Sequence, residues 1–212
     1  MFYDPRTQPH GLPHNPWLAL IVPRPIGWIS TLSRDGVPNL APYSCFNAIS
    51  GKPPFVMFSS DSPKDSVTNA EETGYFCVNI ATYPLREQMN RSSAAWPRGS
   101  DEFAQTGLTA VPCENIPCPR VGESPVSIEC RLSQILTLTP STGAACLNRV
   151  AIGEVVGIHI DESVLVDGMV DVALLQPLGR MGYMEYTVPP RSFTMTRPVL
   201  TATEAEQDQD QT

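Results

Sequence analysis

Proline and glycine interrupt this sequence so often that long helices have little room. The chain contains 22 prolines and 14 glycines among 212 residues. Because proline removes a helical hydrogen bond and glycine favours turns, this composition predicts many short elements. Extended runs at 26–33 and 38–44 flank Arg34-Asp35-Gly36-Val37. An Asp-Gly pair between two such runs predicts a β-hairpin.

Strand patterns dominate the rest of the chain. β-branched, aromatic and alternating apolar residues predict four further strands, at residues 55–59, 75–81, 127–139 and 149–161. Two glycines in the last of these allow a bend or bulge. The chain is therefore predicted to be mainly β, a closed barrel or sandwich with short helical insertions.

One helix is predicted with both ends defined. It covers 63–73, with Ser62 as N-cap, Pro63 at the first helical position and Gly74 as the C-cap glycine. Two shorter helices are predicted at 84–92 and 101–106, separated by the loop AAWPRGS.

The termini are expected to differ from the body of the chain. Residues 1–16 are predicted to form an N-terminal arm, and 17–198 one domain. The acidic segment 199–212 lacks an apolar anchor and is predicted to be disordered.

Charge and cysteine usage exclude several classes of protein. The formal net charge of −8 argues against non-specific binding to nucleic acid or anionic membranes. The N-terminus does not have the pattern of a signal peptide, and no apolar run approaches the ~20 residues of a membrane helix. Six scattered cysteines without a CxxC pair indicate a reducing cytoplasm. Cys113 and Cys118 are close enough to leave a disulfide or metal site as an alternative.

Common catalytic fingerprints are missing. The sequence contains no GxGxxG after a strand, no GxxxxGK[ST] and no GxSxG. Its three histidines do not have the spacing of metal ligands. A hydrolytic triad is therefore unsupported.

The segment FSSDSPKDSVTN, residues 58–69, combines hydroxyl groups, a lysine and the start of the predicted helix. A helix N-terminus exposes unpaired N–H groups and the positive end of the helix dipole. Lys64 adds a positive charge, and Ser59, Ser60 and Ser66 add hydroxyl donors. A phosphate monoester needs several donors and a cation, which this corner supplies. The alternative is that the segment only caps a helix and that its lysine is solvated.

Four segments follow one another along the chain: RPIGWIST at 24–31, NLAPYSCFN at 39–47, PPFVMFSS at 53–60 and PKDSVTN at 63–69. In this order they resemble the flavin reductase-like, FMN-binding split-barrel family, including its flavoredoxin branch. The resemblance covers about residues 17–187 and ends in PLGRMGYMEYT. It implies a six-stranded, Greek-key-like barrel that forms a homodimer, with one FMN per subunit near the interface.

The resemblance also implies two groups of cofactor-binding residues. One group holds the phosphate, and its members are Ser59, Ser60, Lys64 and Ser66. The other lines the isoalloxazine ring, largely through the backbone, and its members are Ser44, Cys45, Phe46 and Asn47.

Four further residues are connected with the flavin by resemblance. Arg180 and Tyr183 lie in a segment that often closes over the flavin in this family. Arg24 either reaches the cofactor or lies at the surface. Some relatives use a histidine near the flavin, but His159 alternates with isoleucines, which favours a solvent-facing or interface position.

The implied chemistry belongs to the flavin, so no catalytic side chain is assigned. The leading hypothesis is a cytoplasmic oxidoreductase that passes electrons from NADH or NADPH through FMN to free flavin or another small acceptor. The alternatives are a flavoredoxin-like electron carrier, a non-catalytic flavin-binding protein, or an enzyme for one dedicated small molecule under a lid formed by residues 84–125.

Overall fold

The computed structural model describes residues 1–189 and 192–198. Within these residues the chain forms fourteen strands: β1 Arg24–Pro25, β2 Gly27–Leu32, β3 Pro38–Tyr43, β4 Phe46–Gly51, β5 Pro54–Ser60, β6 Tyr75–Ile80, β7 Ala110–Pro112, β8 Pro119–Val121, β9 Val126–Thr137, β10 Arg149–Ile160, β11 Leu165–Val166, β12 Met169–Val170, β13 Gly179–Arg180 and β14 Tyr186–Thr187. The helices in the same residues are α1 Asp65–Thr73, α2 Arg86–Ser92, α3 Glu102–Thr106 and α4 Val172–Leu175, with short 3₁₀ turns at Trp17–Ala19, Tyr83–Leu85 and Glu162–Val164. The predicted acidic tail, 199–212, lies outside the described residues.

The principal sheet is antiparallel and must curl into a barrel. Its seven strands lie in the order β3-β2-β6-β9-β10-β5-β4, one more strand than the resemblance implies. The two edge strands, β3 and β4, are consecutive in the chain and are joined by Ser44 and Cys45 alone. Three Cα–Cα steps span at most roughly 11 Å, so the two edges have to meet. The prediction of a mainly β split barrel is confirmed.

A close contact between Phe46 and Gly27 holds this seam together. A Cβ atom on Gly27 of β2 would lie 2.6 Å from Cγ and Cδ2 of Phe46 at the start of β4. Phe46 is buried in a core cluster with Ile29, Tyr43 and Phe58. Glycine at position 27 therefore lets the last strand of the sheet pack on the second.

The strand and turn predictions are largely confirmed. β2 and β3 form the expected hairpin, with Leu32 opposite Pro38. β9 and β10 are the two long strands, and their register shifts at Gly153 and Gly157, as the glycines suggested. Gly74 ends α1 in the left-handed region at φ 84°.

The predicted start of α1 is wrong by two residues. The helix begins at Asp65 with Lys64 at its N-cap position, and no side chain caps it. Ser62 is instead part of a preceding turn, where its carbonyl accepts from Ser60 Oγ at 2.6 Å and from Lys64 N at 2.8 Å. That turn satisfies the N–H of Lys64, which the predicted cap could have used.

The cysteines, all of which lie in the described part of the chain, form no disulfide in the structure. All six cysteines are free thiols, including Cys113 and Cys118. Within residues 1–189 and 192–198, no group of three His, Cys, Asp or Glu side chains is placed to hold a metal. In the same part of the chain, no helix is long and apolar enough to cross a membrane.

His159 is paired rather than solvent-facing. Its Nε2 lies 2.5 Å from Oε1 of Glu129, whose side chain is completely buried in β9. The same carboxylate accepts from the N–H groups of Glu114 and Asn115, both at 2.7 Å. Burial alone would raise the pKa of Glu129, but these N–H groups and His159 outweigh it and hold the pKa below its usual value.

Candidate functional site

An open cleft of about 700 Å³ lies beside the barrel seam. We call it the main cleft. It is bounded by β3, by the turn before α1, by the N-terminal 3₁₀ turn and by the loop that follows α2. Its polar lining residues include Asn39, Ser44, Ser59, Asp61, Lys64, Asp65, Ser66, Ser92, Ser93, Arg98, Glu102 and Asn148.

A second cleft of about 460 Å³, the adjoining cleft, continues from the first. The two share Trp17, Leu18, Pro42, Ser44 and Ser93 in their walls. Together they form one elongated depression across the seam of the barrel.

The structure gathers most of the sequence-predicted site residues along this depression. The main cleft is lined by Ser44, Cys45, Ser59, Lys64 and Ser66. The adjoining cleft is lined by Arg24, Ser44, Arg180 and Tyr183. The remaining predicted residues, Phe46, Asn47 and Ser60, line neither cleft.

These three residues have other partners. Phe46 is packed into the core and Ser60 is bonded within the turn before α1. The side chain of Asn47 accepts from the backbone N–H of Ala48 at 2.9 Å. Their side chains therefore contact the core or the local backbone rather than either cleft.

One end of the main cleft is suited to an anion. It meets the N-terminus of α1, a nine-residue helix whose first N–H groups have no side-chain cap. Lys64 lies at this point, with Nζ 2.9 Å from Oδ1 of Asp61. Hydrogen bonding to Lys64 lowers the pKa of Asp61. Both side chains are exposed, so this ion pair is weak and an incoming anion can compete for the lysine.

The floor beneath that end is a buried polar network. Ser66 Oγ donates to Asn39 Oδ1 at 2.8 Å, and Asn39 Nδ2 donates to Glu102 Oε2 at 3.0 Å. The same oxygen accepts from Leu40 N at 3.0 Å, which ties α3 to β3. Burial raises the pKa of Glu102. Because the hydroxyl hydrogen of Ser66 is already engaged, its free donor towards the cleft is its backbone N–H.

A second part of the main cleft exposes backbone at the seam. Ser44 and Cys45 lie between the ladders of β3 and β4, and the carbonyl of Cys45 accepts from Ser59 N at 2.8 Å. Within the described residues, their two N–H groups donate to no other backbone group. Such donors beside a cleft require water or a ligand as partner. This edge can therefore bind the polar rim of a flat molecule.

Tyr43 adds an unsatisfied group to the same wall. Its hydroxyl is buried and has no hydrogen-bond partner within the part of the chain that the structure describes. Burial raises the pKa of this hydroxyl. The neighbouring hydroxyls of Ser66 and Ser60 oppose this rise in pKa, so Tyr43 belongs to the polar wall of the cleft.

Arg24 joins the two walls of the adjoining cleft. Its guanidinium donates to the carbonyl oxygens of Leu18, Ile21 and Met181. It is buried, so the surface alternative for this residue is not what the structure shows. Arg24 thereby fixes the N-terminal turn against the segment that follows β13.

Arg180 and Tyr183 lie on that second segment. The guanidinium carbon of Arg180 is 4.5 Å from the ring centroid of Tyr186, and the guanidinium donates to the carbonyl of Tyr183. Tyr183 adopts φ 57°, which is uncommon for a bulky side chain. Its ring contacts His14 edge to face, with centroids 5.7 Å apart. The N-terminal arm therefore covers part of this cleft.

The loop after α2 lies within the segment 84–125 that was considered as a lid, but none of its residues was singled out for the site. Its sequence AAWPRGS identifies it only as a loop, yet Ala94, Ala95, Trp96 and Arg98 line the main cleft. Gly99 N donates to Oδ2 of Asp65 at 3.0 Å, although 34 residues separate them. No local pattern reveals a contact over such a distance in the chain.

Comparisons with known proteins agree on one family. A family model described as a flavin reductase like domain matches residues 19–174. An uncharacterized protein of Aquifex aeolicus is 34% identical over 175 residues, which are 80% of this chain and 86% of that protein. The structure is similar to nitrilotriacetate monooxygenase component B from Bacillus cereus, with a TM-score of 0.85 and 27% identity over 92% of this chain and 98% of that one. A flavoredoxin of Desulfovibrio vulgaris shares the fold, with a TM-score of 0.75 and 24% identity over 89% and 96% of the two chains.

Proposed function

The chain belongs to the flavin reductase-like family of FMN-binding oxidoreductases, and from this premise we propose that it passes electrons from NADH or NADPH through bound FMN to free flavin or another small acceptor. One observation carries the proposal. A single cleft contains both a cationic helix N-terminus and a backbone edge whose N–H groups are unpaired within the described residues. The free thiols support a reducing, cytoplasmic setting for this activity.

The donors present match the parts of FMN. Lys64, the hydroxyl of Ser59 and the N–H groups at the start of α1 would hold the phosphate. The backbone of Ser44 and Cys45 would hold the polar edge of the ring system. Arg24, Arg180 and Tyr183, in the adjoining cleft, would shape the space beyond the ring.

The protein's own residues bind and orient the cofactor. When bound, FMN supplies hydride and electron transfer, which needs no protein nucleophile. The Glu102–Asn39–Ser66 network holds the floor of the main cleft in place. Arg24 holds the walls of the adjoining cleft together. Trp17 lies exposed where the two clefts meet, and its indole can exclude water from one side of a ring.

The most direct test is to identify the cofactor and its reductant. The purified protein should be yellow, or should take up added FMN, with the absorbance bands of a flavin. Anaerobic titration with NADH and NADPH should bleach those bands. A colourless protein that fails to take up FMN would contradict the proposal.

Lys64→Ala should weaken FMN binding while leaving the fold intact. Removing one charge-assisted contact to phosphate is expected to raise the dissociation constant about 10-fold or more. Lys52→Ala is the matched control, because the exposed Lys52 lies in the β4–β5 turn and lines neither cleft. Flavin fluorescence titration measures the affinity, and a melting curve checks the fold. An unchanged FMN affinity in Lys64→Ala would remove the phosphate site from this corner.

A flavoredoxin-like electron carrier is the second candidate. The observation that favours it is the position of His159, which pairs with Glu129 and lines neither cleft. A histidine in that place is not available to a nicotinamide beside the flavin. Stopped-flow mixing with NADH separates the two roles, because a carrier should be reduced slowly without a partner reductase. Turnover with any acceptor would also exclude a non-catalytic flavin-binding role.

A homodimer is part of the proposal. Val156, Ile158 and Ile160 alternate along the exposed face of β10, and each is exposed by more than a third. An exposed apolar row of this kind suits a symmetric partner. Sedimentation should give a dimer at micromolar concentration, and a monomer there would contradict it.

A further inference from the structure

The loop from Ala94 to Ser100 is attached through one carboxylate to the N-terminus of α1, where the phosphate of FMN is proposed to bind. Asp65, the first residue of α1, accepts from Gly99 N at 3.0 Å through Oδ2. Its other oxygen, Oδ1, lies 3.7 Å from Nε of Arg98. Gly99 has φ +76°, a conformation that side chains rarely adopt, so the turn after Arg98 depends on glycine. Asp65 therefore determines where Arg98 enters the cleft.

Charge at this end of the cleft is balanced before a ligand binds. Asp61 pairs with Lys64, and Asp65 pairs more loosely with Arg98. A phosphate dianion needs an excess of positive charge nearby, and Lys64 alone does not supply it beside two carboxylates. A second cation that can turn towards the anion would bring another positive charge closer to it than the carboxylates are.

Arg98 has the geometry for this role. Its side chain is 74% exposed, whereas that of Asp65 is 22% exposed, so the arginine is the partner that is free to move. Its closest contact with Asp65 uses Nε, which lies 3.7 Å from Oδ1 of the carboxylate. A guanidinium held through Nε can still donate from its two terminal nitrogens to phosphate oxygens.

We propose that Arg98 is a second phosphate-binding residue of the flavin site and that Asp65 is the positioning residue that directs it. The inference rests on the proposed function, because the phosphate is that of FMN. It gives Asp65 a role opposite to the one that its charge alone suggests. A carboxylate that only repelled phosphate would weaken binding, whereas one that positions Arg98 strengthens it.

The test compares FMN with riboflavin, which has the same ring and no phosphate. Arg98→Gln should raise the FMN dissociation constant about 10-fold and leave that of riboflavin unchanged within about two-fold. Arg91→Gln is the matched control, since Arg91 is an exposed arginine in α2 that lines neither cleft. Equal losses of both flavins, or no loss of FMN, would overturn the role of Arg98.

The direction in which Asp65→Asn changes FMN affinity shows whether Asp65 positions Arg98 or only repels the phosphate. The amide keeps an oxygen that can accept from Gly99 N but loses the charge that holds Arg98. We expect FMN to bind at least about three-fold more weakly and riboflavin to bind as before. Tighter FMN binding would show that Asp65 only repels the phosphate, and would overturn its assignment as a positioning residue.

Binding of inorganic phosphate to the flavin-free protein tests the phosphate site without requiring that the ligand be FMN. Inorganic phosphate is titrated into the flavin-free protein by calorimetry, in the wild type and in Arg98→Gln. Phosphate binding that depends on Arg98 would support the site even if neither flavin binds, and the proposed function alone would then fail. The inference would be overturned if phosphate did not bind, or if it bound equally well to the wild type and to Arg98→Gln.

Discussion

Gly27→Val is expected to destabilise the protein by about 3 kcal/mol and to reduce FMN affinity together with stability. A Cβ atom at this position would lie 2.6 Å from the ring carbons of Phe46, in the core beside the barrel seam. Phe46 directly follows Cys45, so moving its ring also moves the Ser44–Cys45 backbone that lines the main cleft. Denaturant unfolding and flavin titration measure the two effects.

Gly51→Val is the control for this prediction. Gly51 also lies in a strand, β4, but a Cβ atom there meets nothing within 4 Å. Its free energy of unfolding should change by less than about 0.5 kcal/mol. If Gly27→Val changed the free energy of unfolding as little as Gly51→Val, the ring of Phe46 would be able to move aside at little cost.

Glu129→Ala is expected to lower the free energy of unfolding by about 3 kcal/mol or more, because it leaves buried donors without an acceptor. The N–H groups of Glu114 and Asn115 both donate to this carboxylate, and His159 pairs with it. The exposed Glu154, on the neighbouring strand, is the control, and Glu154→Ala should change stability little.

The same carboxylate predicts a pH dependence with a defined sign. The folded-state pKa of Glu129 lies below its unfolded value, so its contribution is present above the unfolded pKa and is lost as the pH falls through the folded value. Glu129→Gln should therefore lose less stability than the wild type as the pH falls below the unfolded pKa of a glutamate, about 4.3. Parallel losses in the two proteins would show that acid unfolding has another source.

Local signals predicted the parts of the fold that depend on local chemistry. The Asp-Gly hairpin and the glycine that ends α1 were recognisable because each turn needs particular residues at neighbouring positions. The start of α1 was placed two residues early because Ser62-Pro63 has the composition of a helix start. In the structure, the carbonyl of Ser62 instead closes a separate turn.

The site could be predicted in part, and the rest depended on contacts between distant segments. Lys64 and Ser59 were recognisable beside a helix start, and Ser44 and Cys45 by resemblance. Arg98 was not, because its contact with Asp65 spans 33 residues of sequence and the loop carries only turn-forming residues. Glu129 was equally hidden, since a single acidic residue within a strand gives no sign of burial.

The two-residue connection between β3 and β4 has a consequence for the order in which the protein folds. These strands are neighbours in the chain but occupy opposite edges of the sheet, and β5 joins the other strands only through β10 at 149–160. Lys64, Ser66 and Arg98 are therefore synthesised long before the strand that completes the barrel. Because such long-range pairing is slow, we expect the flavin pocket to form in a late step of folding. Added FMN should then stabilise the final product of refolding without accelerating its early phases, and a nascent chain ending before β10 should not retain flavin.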